Sequence, residues 1–232
     1  MNDENIKILF EAGFGIATSN IEAGTRAAVL RIAPEGTGFA EELTSGIESD
    51  SFFSEIACGP NCPYCCSMQI RVTPPEALLV GDHVISTYSE DQRRELLRKI
   101  AHNLALTDGK DLDEKVENWH QTPCIFLEAG SCSLYPVRPF ICRSWHSLDK
   151  GACLKAYDLK KKNAEIESYP HRNLVFGTIR KGMIKGCASK GLQSGIMVIT
   201  KAVKAILEYE GDMVADWLEG KYVFQDSFFL KE

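Results

Sequence analysis

Apolar and polar positions along the chain alternate with helical spacing over most of its length. Phe39, Leu43 and Ile47 recur every four residues and predict a helix over 39–56, although Gly46 weakens it. Val198, Ile199, Ala202, Val203, Ile206 and Leu207 form an apolar stripe on a helix within 193–219, which reads as a core face. Further helices are expected over 149–168 and 172–190. Residues 1–50 read as irregular structure with short helices. Ala33 to Gly38, which holds Pro34, Gly36 and Gly38, reads as a loop.

Start signals sharpen the middle of the chain. Thr73 followed by Pro74, Pro75 and Glu76 has the form of a capping box at a helix start. Ser89 and Gln92 repeat that signal and open a helix to about residue 106. Asp111 to His120 reads as a shorter helix. Around Gly130 the segment 124–134 predicts a small hairpin. Gly59, Pro60 and Pro63 make 58–66 a turning loop. The expected fold is therefore mainly α, with helices surrounding an irregular cysteine-rich centre and at most a small β-hairpin.

Composition narrows the class. The chain has 232 residues, 44% of them hydrophobic, which suffices for a sizeable core without covalent staples. The expected organisation is an N-terminal segment over 1–57, a cysteine-cluster domain over 58–155, and C-terminal helices over 156–232 packed on that domain. A net charge of -6 lacks the footprint of a nucleic-acid binder. The one basic run, Lys160, Lys161 and Lys162, reads as a solvated helix face. The start, Met1 to Asn5, has no basic n-region, and there is no apolar run of about 18 residues, so neither a signal peptide nor a membrane partner is expected. The cytoplasm is the expected location, where disulfides are rare.

Cysteine changes the picture most. There are nine, an odd number, and eight of them lie between residues 58 and 153. Cys58, Cys62, Cys65 and Cys66 fall within nine residues, and Cys124, Cys132, Cys142 and Cys153 follow. Thiolate is a soft ligand that selects zinc, copper(I) or iron–sulfur clusters, and such sites take four ligands from nearby segments. Adjacent side chains diverge, so Cys65 and Cys66 point to two metal positions or to a polynuclear cluster. Eight thiolates fill two four-coordinate sites, or one cluster and one zinc. Two zinc ions would leave about -4 of charge on such a centre. Arg71, Arg138, Arg143, Lys150 and Lys155 lie near in sequence and are placed to offset it.

Cys58-x3-Cys62-x2-Cys65, with Tyr64 before the third cysteine, also has the spacing of radical S-adenosylmethionine enzymes. The few strands oppose the alternating barrel that such enzymes need. No glycine-rich methionine-binding segment follows, and Gly13 and Gly15 are too little for a methyltransferase loop.

Three segments together carry a family pattern. They are Cys58-x3-Cys62-x2-Cys65-Cys66, then Pro123 and Cys124, then Cys132-x2-Tyr135-x2-Arg138-Pro139-x2-Cys142-Arg143. Over about residues 55–155 the chain resembles the YkgJ-type cysteine-cluster family, to which zinc or iron chelation is ascribed. The resemblance implies that Cys58, Cys62, Cys65, Cys66, Cys124, Cys132 and Cys142 are ligands, with Cys153 as the eighth. The same domain is similar to part of the flagellin lysine N-methylases, which keeps a methyl-transfer enzyme open.

The remaining candidates have plainer readings. Cys187 reads as a buried structural thiol. His120 and His146 read as surface groups or as supports to the thiol site. Arg138 either braces a thiolate or backbone carbonyl, or closes an ion pair. Trp119 and Trp145 are expected to pack around the site. The first functional reading is an iron–sulfur or zinc protein whose centre is structural or redox-active. The alternatives are a cluster-dependent enzyme, and a metal chaperone or sensor. The expected partner is a metal ion or cluster, and no protein partner is readable.

Overall fold

A computed structural model describes residues 2–50, 52–59, 61–161 and 163–230. In place of the expected irregular start stand two long helices, α1 (Asp3–Glu22) and α2 (Arg26–Glu48). Asn2 caps α1 by accepting the Asn5 N–H at 2.9 Å. Gly24, at φ +64°, turns the chain, and the Thr25 hydroxyl accepts the Ala28 N–H at 3.2 Å to start α2. The loop expected from Ala33 to Gly38 is helical, with Pro34 inside α2. Packing overrides the local signal there. A Cβ on Gly36 would come within 2.6 Å of the Met183 sulfur and 2.8 Å of the Phe140 ring, so the glycine lets two buried side chains close on the helix.

The middle of the chain carries β1 (Arg71–Val72), α3 (Pro74–Thr87), α4 (Glu90–Thr107), α5 (Leu112–Glu117), β2 (Leu127–Glu128), β3 (Ser131–Cys132), α6 (Phe140–Ser144) and α7 (Lys150–Asp158). The start signals hold. Thr73 N–H donates to Glu76 Oε2 at 2.7 Å, and Ser89 N–H donates to Gln92 Oε1 at 2.8 Å. β2 and β3 pair antiparallel around Ala129 and Gly130, both at positive φ, as the expected hairpin. The helix expected over 149–168 ends at Asp158, and Lys160 adopts φ +51° instead of continuing a helical face. Pro60 and Lys162 lie outside the described residues.

The last third consists of α8 (Pro170–Ser189), β4 (Met197–Val198), α9 (Ile199–Leu207) and α10 (Met213–Leu218). The single helix expected over 193–219 is broken at Gly211, φ +116°, because Asp212 caps a new start by accepting the N–H groups of Val214 and Ala215. The apolar stripe is core, as expected: Ile199, Ala202, Val203 and Ile206 are buried. β4 pairs antiparallel with β1, Arg71 opposite Val198, a ladder between distant segments that the pattern did not announce.

α1 lies directly against α8. A Cβ on Gly182 would sit 2.1 Å from the Phe10 carbonyl oxygen, and one on Gly13 would sit 2.0 Å from that of Ile179. Their backbones therefore touch. Above this pair, Ile32, Leu78, Ile100, Phe126, Phe140, Phe176, Ile179, Met183 and Val203 fill one continuous core. No helix among the described residues is long and apolar enough to cross a membrane.

Candidate metal centre

The cysteine segments are loops and single turns pinned to that helical frame. A 3-10 turn, Tyr64–Ser67, carries the adjacent pair. Cys65 and Cys66 leave this turn side by side, and their sulfurs hydrogen-bond each other. The turn is fastened by the Cys124 N–H, which donates to the Cys66 carbonyl at 2.6 Å.

Cys58 sits on a strip zipped to residue 147. The Ala57 N–H donates to the Ser147 carbonyl at 2.9 Å, and the Ser147 N–H donates to the Cys58 sulfur at 3.3 Å. Cys153 is in the first turns of α7, where Asp149 accepts the Gly151 N–H at 2.7 Å. Cys62 follows Asn61, whose φ of +59° turns the chain and whose side-chain oxygen accepts the Ser131 hydroxyl at 3.0 Å. Cys58, Cys62, Cys65 and Cys153 line one cavity of about 260 Å³. Trp119, Trp145, Tyr64 and Tyr157 share its wall, as expected for the two tryptophans.

Cys124, Cys132 and Cys142 are partly buried and pack against the hydrophobic core. Cys132 is on β3, opposite Leu127, and Cys142 is on α6. Cys187 is buried on α8, apart from both groups, as expected of a structural thiol.

Electrostatics tie the groups together. Burial pushes the Cys124 thiol up to about 12, and the neighbouring thiols Cys132 and Cys65 add to the effect. Burial raises Cys142 well above the ordinary range, reinforced by Cys124, Cys65 and Cys132. Burial likewise raises Cys132, against the Leu134 N–H and the Arg138 charge. The Cys65 thiol is raised first by its bond to the Cys66 sulfur and then by burial. Burial raises Cys58 and Cys153, with Cys62 and Cys65 adding repulsion in both cases. Cys65 is therefore the neighbour common to both groups. Among the described residues, no three Cys, His, Asp or Glu side chains close on one point as a ready ion site.

The donor set nevertheless fits a bound cation. Thiols held neutral by burial and by one another lack positive charge, and a metal supplies it while releasing their protons. Arg138 adds a second sign. Its guanidinium lies over the Tyr135 ring at 4.4 Å and draws down Cys65, Cys132 and Cys142, yet its buried Nε has no hydrogen-bond partner among the described residues. A buried donor beside thiols is satisfied when those sulfurs become anionic ligands.

Residues 57–162 match the family model described as "CxxCxxCC: putative zinc- or iron-chelating domain". Over these residues the chain is similar to the CxxCxxCC domain. That domain is described as chelating zinc or iron, which supports metal binding by this region. Between its first two cysteines this chain has three residues where the name of the CxxCxxCC domain writes two. Comparisons with curated proteins and with solved structures find no match.

Other groups around the thiols are already committed. His146 uses both ring nitrogens: Nδ1 lies 2.8 Å from the Ser144 carbonyl, and Nε2 accepts the Tyr169 N–H at 2.7 Å. Desolvation lowers its pKa. His120 Nε2 meets the Tyr157 carbonyl at 3.1 Å. Arg143 braces backbone, donating to the carbonyls of Arg138 and Pro136 at 2.9 and 3.1 Å, and it pairs with Glu41 at 2.6 Å. Two supporting residues escaped sequence reasoning. Ser147 holds the Cys58 strip and, through its hydroxyl, the start of α7. Glu76 was visible only as a capping residue, although it also grips α6.

Proposed function

We propose that the eight cysteines form two metal centres of different kinds, joined at the Cys65–Cys66 step. The outer centre uses Cys58, Cys62, Cys65 and Cys153. The inner one uses Cys66, Cys124, Cys132 and Cys142. The single observation behind this reading is the cavity of about 260 Å³ lined by the four outer cysteines, while Cys124, Cys132 and Cys142 pack into the core. A site closed by protein on every side is structural, whereas one facing a cavity keeps access. The inner set is partly buried, with Cys124 bordering a separate cavity, and would cross-link the hairpin, α6 and the 3-10 turn. The outer set, whose cavity has room for more than one ion, suits an iron–sulfur cluster with a redox role.

A cluster bound there supplies electron transfer. The chain's own groups set its surroundings. The Ser147 N–H donates to the Cys58 sulfur and favours its anionic form. Trp119, Trp145 and Tyr157 limit water at the cavity wall. Arg138 offsets ligand charge from the inner side.

The test is anaerobic purification followed by iron, sulfide and zinc analysis with a visible absorption spectrum. The parent chain, Cys62→Ser, Cys132→Ser and Cys187→Ala are compared. Loss of iron and colour in Cys62→Ser, with other metal retained, supports the division. Unchanged metal in Cys62→Ser and Cys132→Ser would remove the ligand assignment. A colourless parent holding two zinc ions would make both centres structural.

A further inference from the structure

A second cavity, of about 450 Å³, is bordered by Cys124 and shares Ser67, Met68, Trp119 and Trp145 with the first. Its size is within the range of small-molecule sites. Much of its floor is apolar, from Ile70, Trp119, Ile125, Ile141, Trp145 and Ile199. Three of the four charged side chains on its wall are cationic. Arg71 and Lys115 stand on the wall with no acidic partner among the described residues. The third cation, Lys110, is paired with Glu114 at 2.8 Å. The carboxylate on the wall, Asp111, is occupied in capping α5, accepting the Glu114 N–H at 2.9 Å.

The far end of the cavity is the start of α9. This helix begins without a capping side chain; its Ile199 N–H donates to the Ile70 carbonyl at 3.0 Å, and Ile199 and Thr200 of its first turn line the cavity. Thr200, in its first turn, is only 6% exposed and lines the cavity, yet its hydroxyl has no hydrogen-bond partner among the described residues. Arg138 Nε is the one fully buried side-chain polar atom without a partner among the described residues, so the Thr200 hydroxyl keeps access to water or to a polar ligand atom. We propose that this cavity binds a small organic carboxylate with an apolar body, its carboxylate held by Arg71, Lys115 and Thr200 at the α9 N-terminus and its body against Trp119 and Trp145. The ligand then sits one layer of side chains from the outer thiols, and Met68 and the two tryptophans report its presence to them.

The experiment uses the full chain with its metal as isolated. 2-Naphthoate, and 2-naphthylmethanol as its neutral counterpart, are titrated by calorimetry, with tryptophan fluorescence as a second readout. The expected result is saturable binding of the acid with about tenfold preference over the alcohol, the scale of one charge-assisted hydrogen bond. Arg71→Ala and Lys115→Ala weaken the acid several-fold and leave the alcohol unchanged. Thr200→Val does the same if its thermal unfolding matches the parent. Equal affinity for acid and alcohol, acid affinity unchanged in Arg71→Ala and Lys115→Ala, or no saturable binding would each overturn the proposal. None of these outcomes depends on which metal the thiols hold.

Discussion

The Glu76 carboxylate accepts the backbone N–H of Phe140 at 2.8 Å, across 64 positions of sequence. Its other oxygen accepts the Thr73 N–H and hydroxyl at 2.7 and 2.8 Å and meets Arg180 Nε at 3.2 Å. Glu76 is 1% exposed. One side chain thus caps α3, anchors α8 through Arg180, and fixes the first turn of the helix that carries Cys142. Arg180 extends the tie to β1 by donating to the Arg71 carbonyl at 2.7 Å.

Removing one partner of such a buried pair leaves the other charge stranded, at a cost of about 3–5 kcal/mol. Glu76→Ala is therefore expected to lower the denaturant midpoint strongly. Glu76→Gln, which keeps the shape but not the charge, is expected to lose less. Urea unfolding of both variants checks this. Loss of under about 0.5 kcal/mol, the scale of a plain surface change, would show that the contact is not structural.

The α1–α8 contact gives a sharper steric test. Gly182→Ala forces a Cβ against the Phe10 carbonyl oxygen, and backbone must move. Overpacking of this kind costs about 1–3 kcal/mol or more. Gly15→Ala, on the same helix pair with nothing within 4 Å of the new Cβ, is expected to be neutral or to gain up to about 1 kcal/mol from helix propensity. Thermal unfolding of the two variants should move in different directions.

Stability is expected to fall at high pH through Cys187. Burial pushes its thiol up to about 12 from an ordinary value of 9.0. Below pH 9 both folded and unfolded chains hold the proton, and the contribution is complete. As pH rises from 9 towards 12 only the unfolded chain ionises, so stability drops by about 1.4 kcal/mol per pH unit from this group. Cys187→Ala should flatten that slope in a series of urea midpoints between pH 8 and 10.5. An identical slope would assign the effect to other groups.

Metal removal should act locally before it acts globally. The segments 54–63 and 145–169 hold few core residues of their own and are joined by single bonds such as Ala57 to Ser147. Binding energy at thiol sites is folding energy for the loops that carry them. After chelation, amide exchange is expected to speed up in these segments while the α1 and α8 amides keep their protection. Uniform acceleration across the chain would mean that the metal holds the whole fold.

Ser147→Ala should loosen the outer centre without removing a ligand. The variant loses the hydroxyl that bridges the Asp149 N–H and carbonyl at 3.0 and 2.8 Å, and with it the orientation of α7 and Cys153. Outer partners of this kind typically change metal affinity by about 10–100-fold. Competition with a metal-sensitive dye measures the change, and Ser144→Ala on the neighbouring turn is the control.

The residues themselves determined the class of this protein. The Thr73 and Ser89 start signals and the turn at Gly130 are local effects, written within a few positions, and they appear where the sequence places them. Thiol softness and the crowding of eight cysteines marked the centre without any fold. Long-range packing decided the rest. Pro34 and Gly36 punctuate a loop in isolation, but burial against Phe140 and Met183 keeps α2 helical through them. Nothing near Cys58 announces Ser147, and nothing near Glu76 announces Phe140, because those bonds join segments separated by 89 and 64 positions. The grouping of the thiols also belongs to tertiary structure: spacing counts them, whereas only the fold brings Cys58, Cys62, Cys65 and Cys153 to one cavity and packs Cys124, Cys132 and Cys142 against the core.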